Sequence, residues 1–199
     1  MFSSSSAASS FGKSIFPLVN MNPWKWVALI YAAQTLGAVC VLHLFRLDFA
    51  EVAPALMLLI LGALFAMVIQ RYDPSSCWGS WKWWVPVGIY ALFIFSLSNR
   101  SYPEAQAVFS TRLFHPFEYL TLGIFLSCAC YHLMRLKGPR FFFLTVQISG
   151  ILYGISDELH QAFIPGRTAR FSDVCIDSLS VAFGMGLFWI AGHARRSMR

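Results

Sequence analysis

Long apolar stretches almost without charge run through most of this chain. Continuous stretches of this kind predict helices that cross a membrane, because lipid offers no hydrogen-bond partners and a helix satisfies its own backbone hydrogen bonds. A transmembrane β-barrel would instead show short segments in which apolar and polar residues alternate. Of 199 residues, 57% are hydrophobic and 12% are charged. That charged share is about half of the share in an ordinary soluble domain, too little to cover a water-facing surface. The predicted fold class is all-α, a polytopic transmembrane helical bundle.

Six apolar segments reach, or nearly reach, the roughly 20 residues that one crossing of a bilayer needs. Their approximate bounds are 24–44, 52–70, 82–98, 115–135, 141–161 and 173–192. Two terminal segments are not expected to join the bundle. Residues 1–20 are serine-rich without periodicity, which predicts a mobile tail, and residues 193–199 form a short basic tail.

The basic residues are distributed unequally between the two ends of these segments. Six crossings place both termini on one side, and that side holds ten of the fifteen lysines and arginines. Because short cytoplasmic loops are enriched in Lys and Arg, both termini are predicted to face the cytoplasm. Of the nine acidic residues, only Asp73 falls on that side. The acidic residues, and the polar chemistry they support, are therefore expected at the outer face.

Cys77 lies in the predicted cytoplasmic loop between the second and third segments. We expect that a membrane-impermeant thiol reagent will not reach Cys77 in intact cells, in a variant from which the other four cysteines have been removed. The measurement is the labelling of Cys77 before and after permeabilisation. Ready labelling of intact cells would mean that the orientation is inverted.

Polar residues collect where the fifth segment ends. At a rise of 1.5 Å per residue, this helix must continue to Gln161 to cross the hydrocarbon core, and it then contains Asp157, Glu158 and His160. Charged groups at that depth are costly unless they face the bundle interior, a partner or a water-filled cavity. A Pro-Gly turn follows and is expected to hold Arg167 close to the helix ends.

Two further segments offer polar faces at the same predicted depth. His115, Glu118 and Tyr119 open the fourth segment at helical spacing, and Asp173 and Asp177 lie one turn apart at the start of the sixth. A histidine among carboxylates can act as a general acid or base near neutral pH, and a guanidinium can clamp a phosphate or carboxylate with two parallel hydrogen bonds. The pattern therefore predicts a site for a phosphorylated lipid headgroup.

Two other interpretations of these residues stay open. The carboxylates, histidines and arginine can form a structural network that closes the bundle. A metal site would draw on the same imidazole and carboxylate groups, but their spacing matches no strong zinc motif, so neither a metal nor another cofactor is predicted. Nucleic acid is not predicted as a partner, because the basic residues are spread among loop ends rather than gathered in a stripe.

The segment from Ser156 to Arg167, SDELHQAFIPGR, closely resembles the signature S-D-E-x-H-Q-x-F-x-P-G-R of the VanZ-like family of bacterial membrane proteins. FSLSN, which ends at Asn99, resembles the serine-rich end of that family's first core helix. His115 with Tyr119 resembles its H-x-x-x-Y segment, and the acidic pair that opens the sixth segment also has a counterpart.

The resemblance covers roughly residues 82–192 and implies a four-helix core there, with residues 21–81 as an accessory pair of transmembrane helices. It also implies a multi-pass protein of the bacterial cytoplasmic membrane. The family's named member is associated with resistance to the glycopeptide teicoplanin, so the resemblance implies a role in the cell envelope.

The preferred hypothesis is a VanZ-like envelope protein that engages an anionic lipid, or a lipid-linked headgroup such as a cell-wall precursor, at its outer face. In its catalytic form, His160 is the general acid or base, Asp157 or Glu158 orients or activates it, and Arg167 holds the anion. His115 is also counted among the catalytic residues. The residues expected to bind the ligand are Arg167, Gln161, Glu118, Tyr119, Asp173, Asp177 and Asn99. The alternative is a non-catalytic binding or shielding protein whose polar cluster is structural. A small transporter is less favoured, because repeated broken helices are absent, and the sequence indicates no oligomeric state.

Overall fold

The computed structural model describes residues 23–45, 48–73, 81–99 and 114–193, and within these ranges it is helical apart from short connections. The helices are α1 (Pro23–Phe45), α2 (Phe49–Tyr72), α3 (Trp84–Ser98), α4 (His115–Lys137), α5 (Pro139–Gln161) and α6 (Phe171–His193), and a 3-10 turn, Trp81–Trp83, leads into α3. Each helix end lies within about three residues of its predicted position. The all-α fold class is confirmed. The predicted tails and Cys77 lie outside the described residues.

Local sequence accounts for where several helices begin and end. The Asp48 carboxylate accepts a hydrogen bond of 2.9 Å from the Ala50 backbone N–H, which satisfies a donor at the start of α2. Gly138 adopts a φ of 89° and ends α4. Residues other than glycine rarely adopt this φ. Pro139 then opens α5, where its missing N–H costs nothing. α4 and α5 are therefore antiparallel neighbours joined by a single residue.

Four of the described helices are long and apolar enough to cross a membrane by length and composition, over Pro23–Leu44, Phe49–Tyr72, His115–Met134 and Phe171–Ala191. α3 has 15 residues, so it spans roughly 23 Å, less than the roughly 30 Å hydrocarbon core. α5 is longer, but its last turn holds the polar residues from Ser156 to Gln161. The chain is thus a membrane protein with several apolar helices. The count of six crossings and the cytoplasmic position of both termini stay predictions.

α4 occupies the centre of the bundle and contacts α3, α5 and α6. In the most apolar 18-residue stretch of α4, 61% of the residues are buried within the protein. The corresponding share in the other three candidate membrane spans is 17–28%. Glycines bring α4 close to α6. A Cβ built on Gly123 would lie 2.5 Å from the Val181 carbonyl oxygen, and one on Gly184 would overlap the Leu120 carbonyl group. Small residues allow this approach in membrane helices, and it brings the starts of α4 and α6 together.

α1 and α2 pack against the remaining helices rather than standing apart. The Trp24 ring stacks on Trp83 with ring centroids 4.1 Å apart. The Tyr31 hydroxyl donates a hydrogen bond of 2.7 Å to the Pro86 carbonyl oxygen. α2 in turn contacts α1 and α3. The apolar core therefore continues from the first helix into the rest of the bundle.

Candidate functional site

The predicted site residues come from four helices that meet at one end of the bundle. α3 and α5 finish there, and α4 and α6 begin there. His160 of α5 contacts Asn99 after α3, with 3.2 Å between Nε2 and Oδ1. His115 of α4 contacts Asp177 of α6, with 3.8 Å between Nδ1 and Oδ1. We call this region, from Asn99 and His160 inward to His115, Tyr119, Gly154 and Asp177, the polar end.

Carboxyl groups are concentrated inside the polar end. Asp157, Glu158 and Asp177 are 3%, 4% and 0% exposed, although each carries an ionisable group. Asp177 interacts electrostatically with Asp157, Glu158 and the partly buried Glu118. Buried carboxylates this close to one another repel unless they share protons or a cation. The geometry therefore creates an acidic interior that an ordinary helix bundle avoids.

Hydrogen bonds hold two of these carboxylates in position. Gln161 Nε2 donates to Asp157 Oδ2 at 2.9 Å and lies 3.4 Å from the Ser98 hydroxyl of α3. Glu158 Oε2 accepts a bond of 2.8 Å from the Arg170 backbone N–H, in the connection that leads to α6. Both carboxylates thus help to join the end of α5 to its neighbours.

Asp177 and Tyr119 lie deepest in the polar end. The Tyr119 side chain is 0% exposed, like Asp177. Neither oxygen of Asp177 has a hydrogen-bond partner among the described residues, and neither does the Tyr119 hydroxyl or Asp157 Oδ1. Gly154 of α5 lies beside both, since a Cβ built on it would be 3.5 Å from Asp177 Cβ and 3.6 Å from Tyr119 Cε1. Buried polar atoms are rarely left in this condition unless they serve a function.

The connection between α5 and α6 positions Arg167 at the polar end. Gly166 adopts a φ of 82°, which permits the turn before the arginine. The guanidinium is partly buried and donates a bond of 3.1 Å to the Leu97 carbonyl oxygen at the end of α3. It also interacts electrostatically with Glu118. A cationic group is therefore anchored beside the acidic interior, as the sequence predicts.

The two candidate histidines occupy different places. His115 is buried and faces Asp177. His160 is only partly buried, and its ring lies 4.5 Å from the Phe95 ring, on the side of α5 that faces α3. Asp173 is also peripheral; it is partly buried and accepts a bond of 3.0 Å from the Ser172 hydroxyl. Of the two histidines, His115 is the one placed for proton exchange with a buried carboxyl group.

Sequence reasoning missed several polar residues that adjoin the site. Gln34 Nε2 donates to the Tyr90 hydroxyl at 2.8 Å and to Thr121 Oγ1 at 2.9 Å, and Tyr90 interacts electrostatically with Glu118. The Tyr153 hydroxyl donates to the Ala91 carbonyl oxygen. Gln34 was detectable as a lone amide within an apolar helix, where polar groups are expensive and need partners. The partners themselves are ordinary tyrosine and threonine residues that nothing in the sequence singles out.

Within the described ranges, no three His, Cys, Asp or Glu side chains converge closely enough to hold a metal ion. The chemistry that the polar end can supply is binding through Arg167 and the carboxylates, and proton exchange at His115.

The helices and the polar end define a multi-pass α-helical membrane protein with an acidic interior at one end of its bundle. A family model described as VanZ/LLP1 matches residues 1–192. The chain therefore belongs to the VanZ/LLP1 family, and the resemblance seen in the sequence is confirmed. The match begins at residue 1 and thus includes α1 and α2 as well as the later helices. Comparison with curated proteins and with solved structures finds no match.

Proposed function

We propose that this VanZ-family protein lies in the bacterial cytoplasmic membrane and binds a phosphate-bearing lipid or lipid-linked headgroup at its polar end, on the outer face. The observation that carries the proposal is the partly buried Arg167 guanidinium, held by a hydrogen bond of 3.1 Å to the Leu97 carbonyl oxygen, at the same end of the bundle as the buried Asp177, whose two oxygens have no hydrogen-bond partner among the described residues. A merely structural carboxylate would be expected to have its hydrogen bonds satisfied within the protein.

Arg167 is the group proposed to hold the phosphate. Its bond to the Leu97 carbonyl oxygen fixes the guanidinium at the ends of α3 and α5, which is the depth of lipid headgroups if these helices end at the membrane surface. A guanidinium pairs with phosphate through two parallel hydrogen bonds, and holding it in place beforehand lowers the entropy lost on binding. Gln161 and Asn99 lie at the same end of α5 and α3, where Gln161 contacts Ser98 and Asn99 contacts His160.

In the catalytic form of the proposal, His115 is the general acid or base and Asp177 orients it. His160 and Asn99 lie at the rim, where they contact the bound headgroup rather than the buried carboxylates. Asp157 and Glu158 belong to the same acidic interior as Asp177, with which both interact electrostatically. The family resemblance implies teicoplanin susceptibility as the cellular phenotype to measure.

The second candidate is a non-catalytic protein whose polar end is structural. The bonds from Gln161 to Asp157 and from Arg170 to Glu158 favour it, because they join α5 to its neighbours. The two candidate functions predict different effects of mutations at the polar end. Loss of one partner from a structural ion network destabilises the fold by about 3–5 kcal/mol, whereas loss of a ligand contact leaves the fold intact.

Replacement of Arg167 tests the proposal. We expect Arg167→Ala to reach the parental amount in the membrane but to bind dihexanoyl phosphatidylglycerol at least about tenfold more weakly, the value of a charge-assisted hydrogen bond. Arg167→Lys should lose most of the affinity too, since an ammonium keeps the charge but not the fork. The measurement is the dissociation constant of the purified protein in detergent.

Arg140→Ala is the matched control, because Arg140 is exposed at the opposite end of α5. It should bind the lipid like the parent. Unchanged affinity in Arg167→Ala would refute the proposed site, and loss of Arg167→Ala from the membrane would favour the structural candidate.

A further inference from the structure

The polar end contains more acid than a purely anionic headgroup requires. Asp177 interacts electrostatically with Glu118, Asp157 and Glu158, and Glu118 interacts with Asp157 and with Arg167. A phosphate at Arg167 would add negative charge next to four carboxyl groups. Like charges at this separation in a low-dielectric interior repel strongly. A ligand that also carries a positive charge would relieve the repulsion.

The deepest polar atoms are arranged to accept hydrogen bonds. Both oxygens of Asp177, Oδ1 of Asp157 and the hydroxyl of Tyr119 are buried without a hydrogen-bond partner among the described residues. Tyr119 is a phenol rather than a carboxylate, and it lies on α4, whereas Asp157 lies on α5 and Asp177 on α6. The Tyr119 ring lies beside Gly154 together with Asp177, and Asp157 follows Gly154 by three residues on α5. An ammonium has three N–H donors and no acceptor, which matches this set.

Gly154 lies where the side chains of Asp177 and Tyr119 meet. A methyl group on Gly154 would lie 3.6 Å from Asp177 Oδ2 and 3.6 Å from Tyr119 Cε1, at ordinary contact distances and without overlap. Glycine keeps this contact free of a side chain of its own. The ring of Tyr153 lies beside that of Tyr119 with centroids 6.0 Å apart, and aromatic faces attract cations.

We propose that Tyr119, Asp157 and Asp177 form a subsite for an ammonium group, and that the headgroup held at Arg167 is zwitterionic, with a phosphate and an amine a few bonds apart. This inference rests on the proposed function, since the phosphate is the one assigned to Arg167. Glu118 interacts electrostatically with Arg167 and with both aspartates, and so connects the two subsites. Together, the two subsites would bind a ligand that carries both a phosphate and an amine, which we call a phosphoamine, rather than a simple anion.

The test compares two short-chain lipids that differ in the amine. Dihexanoyl phosphatidylethanolamine and dihexanoyl phosphatidylglycerol are titrated into the purified full-length protein in detergent. We expect the ethanolamine lipid to bind at least about tenfold more tightly, as a buried charge-assisted hydrogen bond implies. Soluble O-phosphoethanolamine is titrated in parallel. Tight binding of this soluble compound assigns the subsites to a free phosphoamine, and binding of the lipid alone assigns them to a headgroup.

Two variants locate the ammonium. Asp177→Asn should bring the two lipid affinities to within about threefold of each other, because a neutral amide loses the charge-assisted bond. Gly154→Ala changes no charge and fits sterically, but its methyl group packs against Asp177 and Tyr119 and should also remove the preference. Glu51→Gln, an exposed acidic residue in the first turn of α2, should keep it.

The outcomes separate the two proposals. Equal affinities in the parent, both dependent on Arg167, would overturn the ammonium subsite and leave the phosphate site intact. Binding of neither lipid would overturn both. A preference for the ethanolamine lipid that persists in Asp177→Asn and in Gly154→Ala would mean that the amine is recognised elsewhere, which also refutes the subsite.

Discussion

Gly184→Leu is expected to remove most of the folded protein from the membrane, whereas Gly186→Leu is expected to accumulate at the parental level. A Cβ on Gly184 would overlap the backbone of Leu120 in α4, and backbone atoms cannot move aside as a flexible side chain can. α4 and α6 would have to separate, at a cost of about 3 kcal/mol or more. Because α4 is the central helix, that separation would also open the polar end.

Gly186 provides a control two residues along the same helix. No described atom lies within 4 Å of a Cβ built at this position, so a leucine there can extend outward. The measurements are the abundance of each variant in the membrane and its elution profile in mild detergent. A normal abundance and profile for Gly184→Leu would contradict the close packing of α4 against α6.

Asp177→Asn is expected to make the protein more stable and to abolish its function. The substitution removes one of the repelling carboxyl groups and replaces it with a neutral amide. Active sites commonly hold charges at a cost to stability, so their removal raises it. We expect the melting temperature to rise by about 2–4 °C, which corresponds to roughly 1 kcal/mol in a chain of this size.

The structural candidate makes the opposite prediction for Asp177→Asn. If the contact with His115 closes the bundle, its loss leaves a buried partner uncompensated and costs about 3–5 kcal/mol. The melting temperature in detergent and teicoplanin susceptibility in cells, measured on the same variant, therefore decide between the two. Glu51→Gln should leave both unchanged, since Glu51 is exposed. A fall in melting temperature would rule out the proposal that Asp177 is kept for ligand binding.

The helices were predictable from the sequence because each depends on its own composition. An apolar run of sufficient length must be helical in lipid wherever its neighbours lie, and polar or turn residues mark its ends. The same local rules placed His115, Glu118, Arg167 and Asp177 at one predicted depth, and the structure brings them together at the polar end. Helix order and length are enough for that result, since antiparallel helices of similar length end at common levels.

The choice between the two histidines depended on tertiary structure. Asp157 and His160 are three residues apart and so share one helical stripe of α5, but the structure turns Asp157 into the bundle and His160 towards Phe95 of α3. Periodicity defines stripes, and only packing against the neighbouring helices selects the stripe that faces inward. The sequence also could not predict which carboxylate contacts His115, or that Gln34 forms hydrogen bonds with residues of α3 and α4.

The sequence by itself thus determined that the chain is an α-helical membrane protein and which end of its bundle is polar. Only the tertiary structure decided that the interior of that end is acidic, with Asp177 and Tyr119 at its deepest point beside Gly154. The physical reason is the range of the interactions involved. Hydrophobic length acts within one segment, whereas burial and electrostatic repulsion depend on the rotation and separation of several helices, which the glycine contacts between α4 and α6 set.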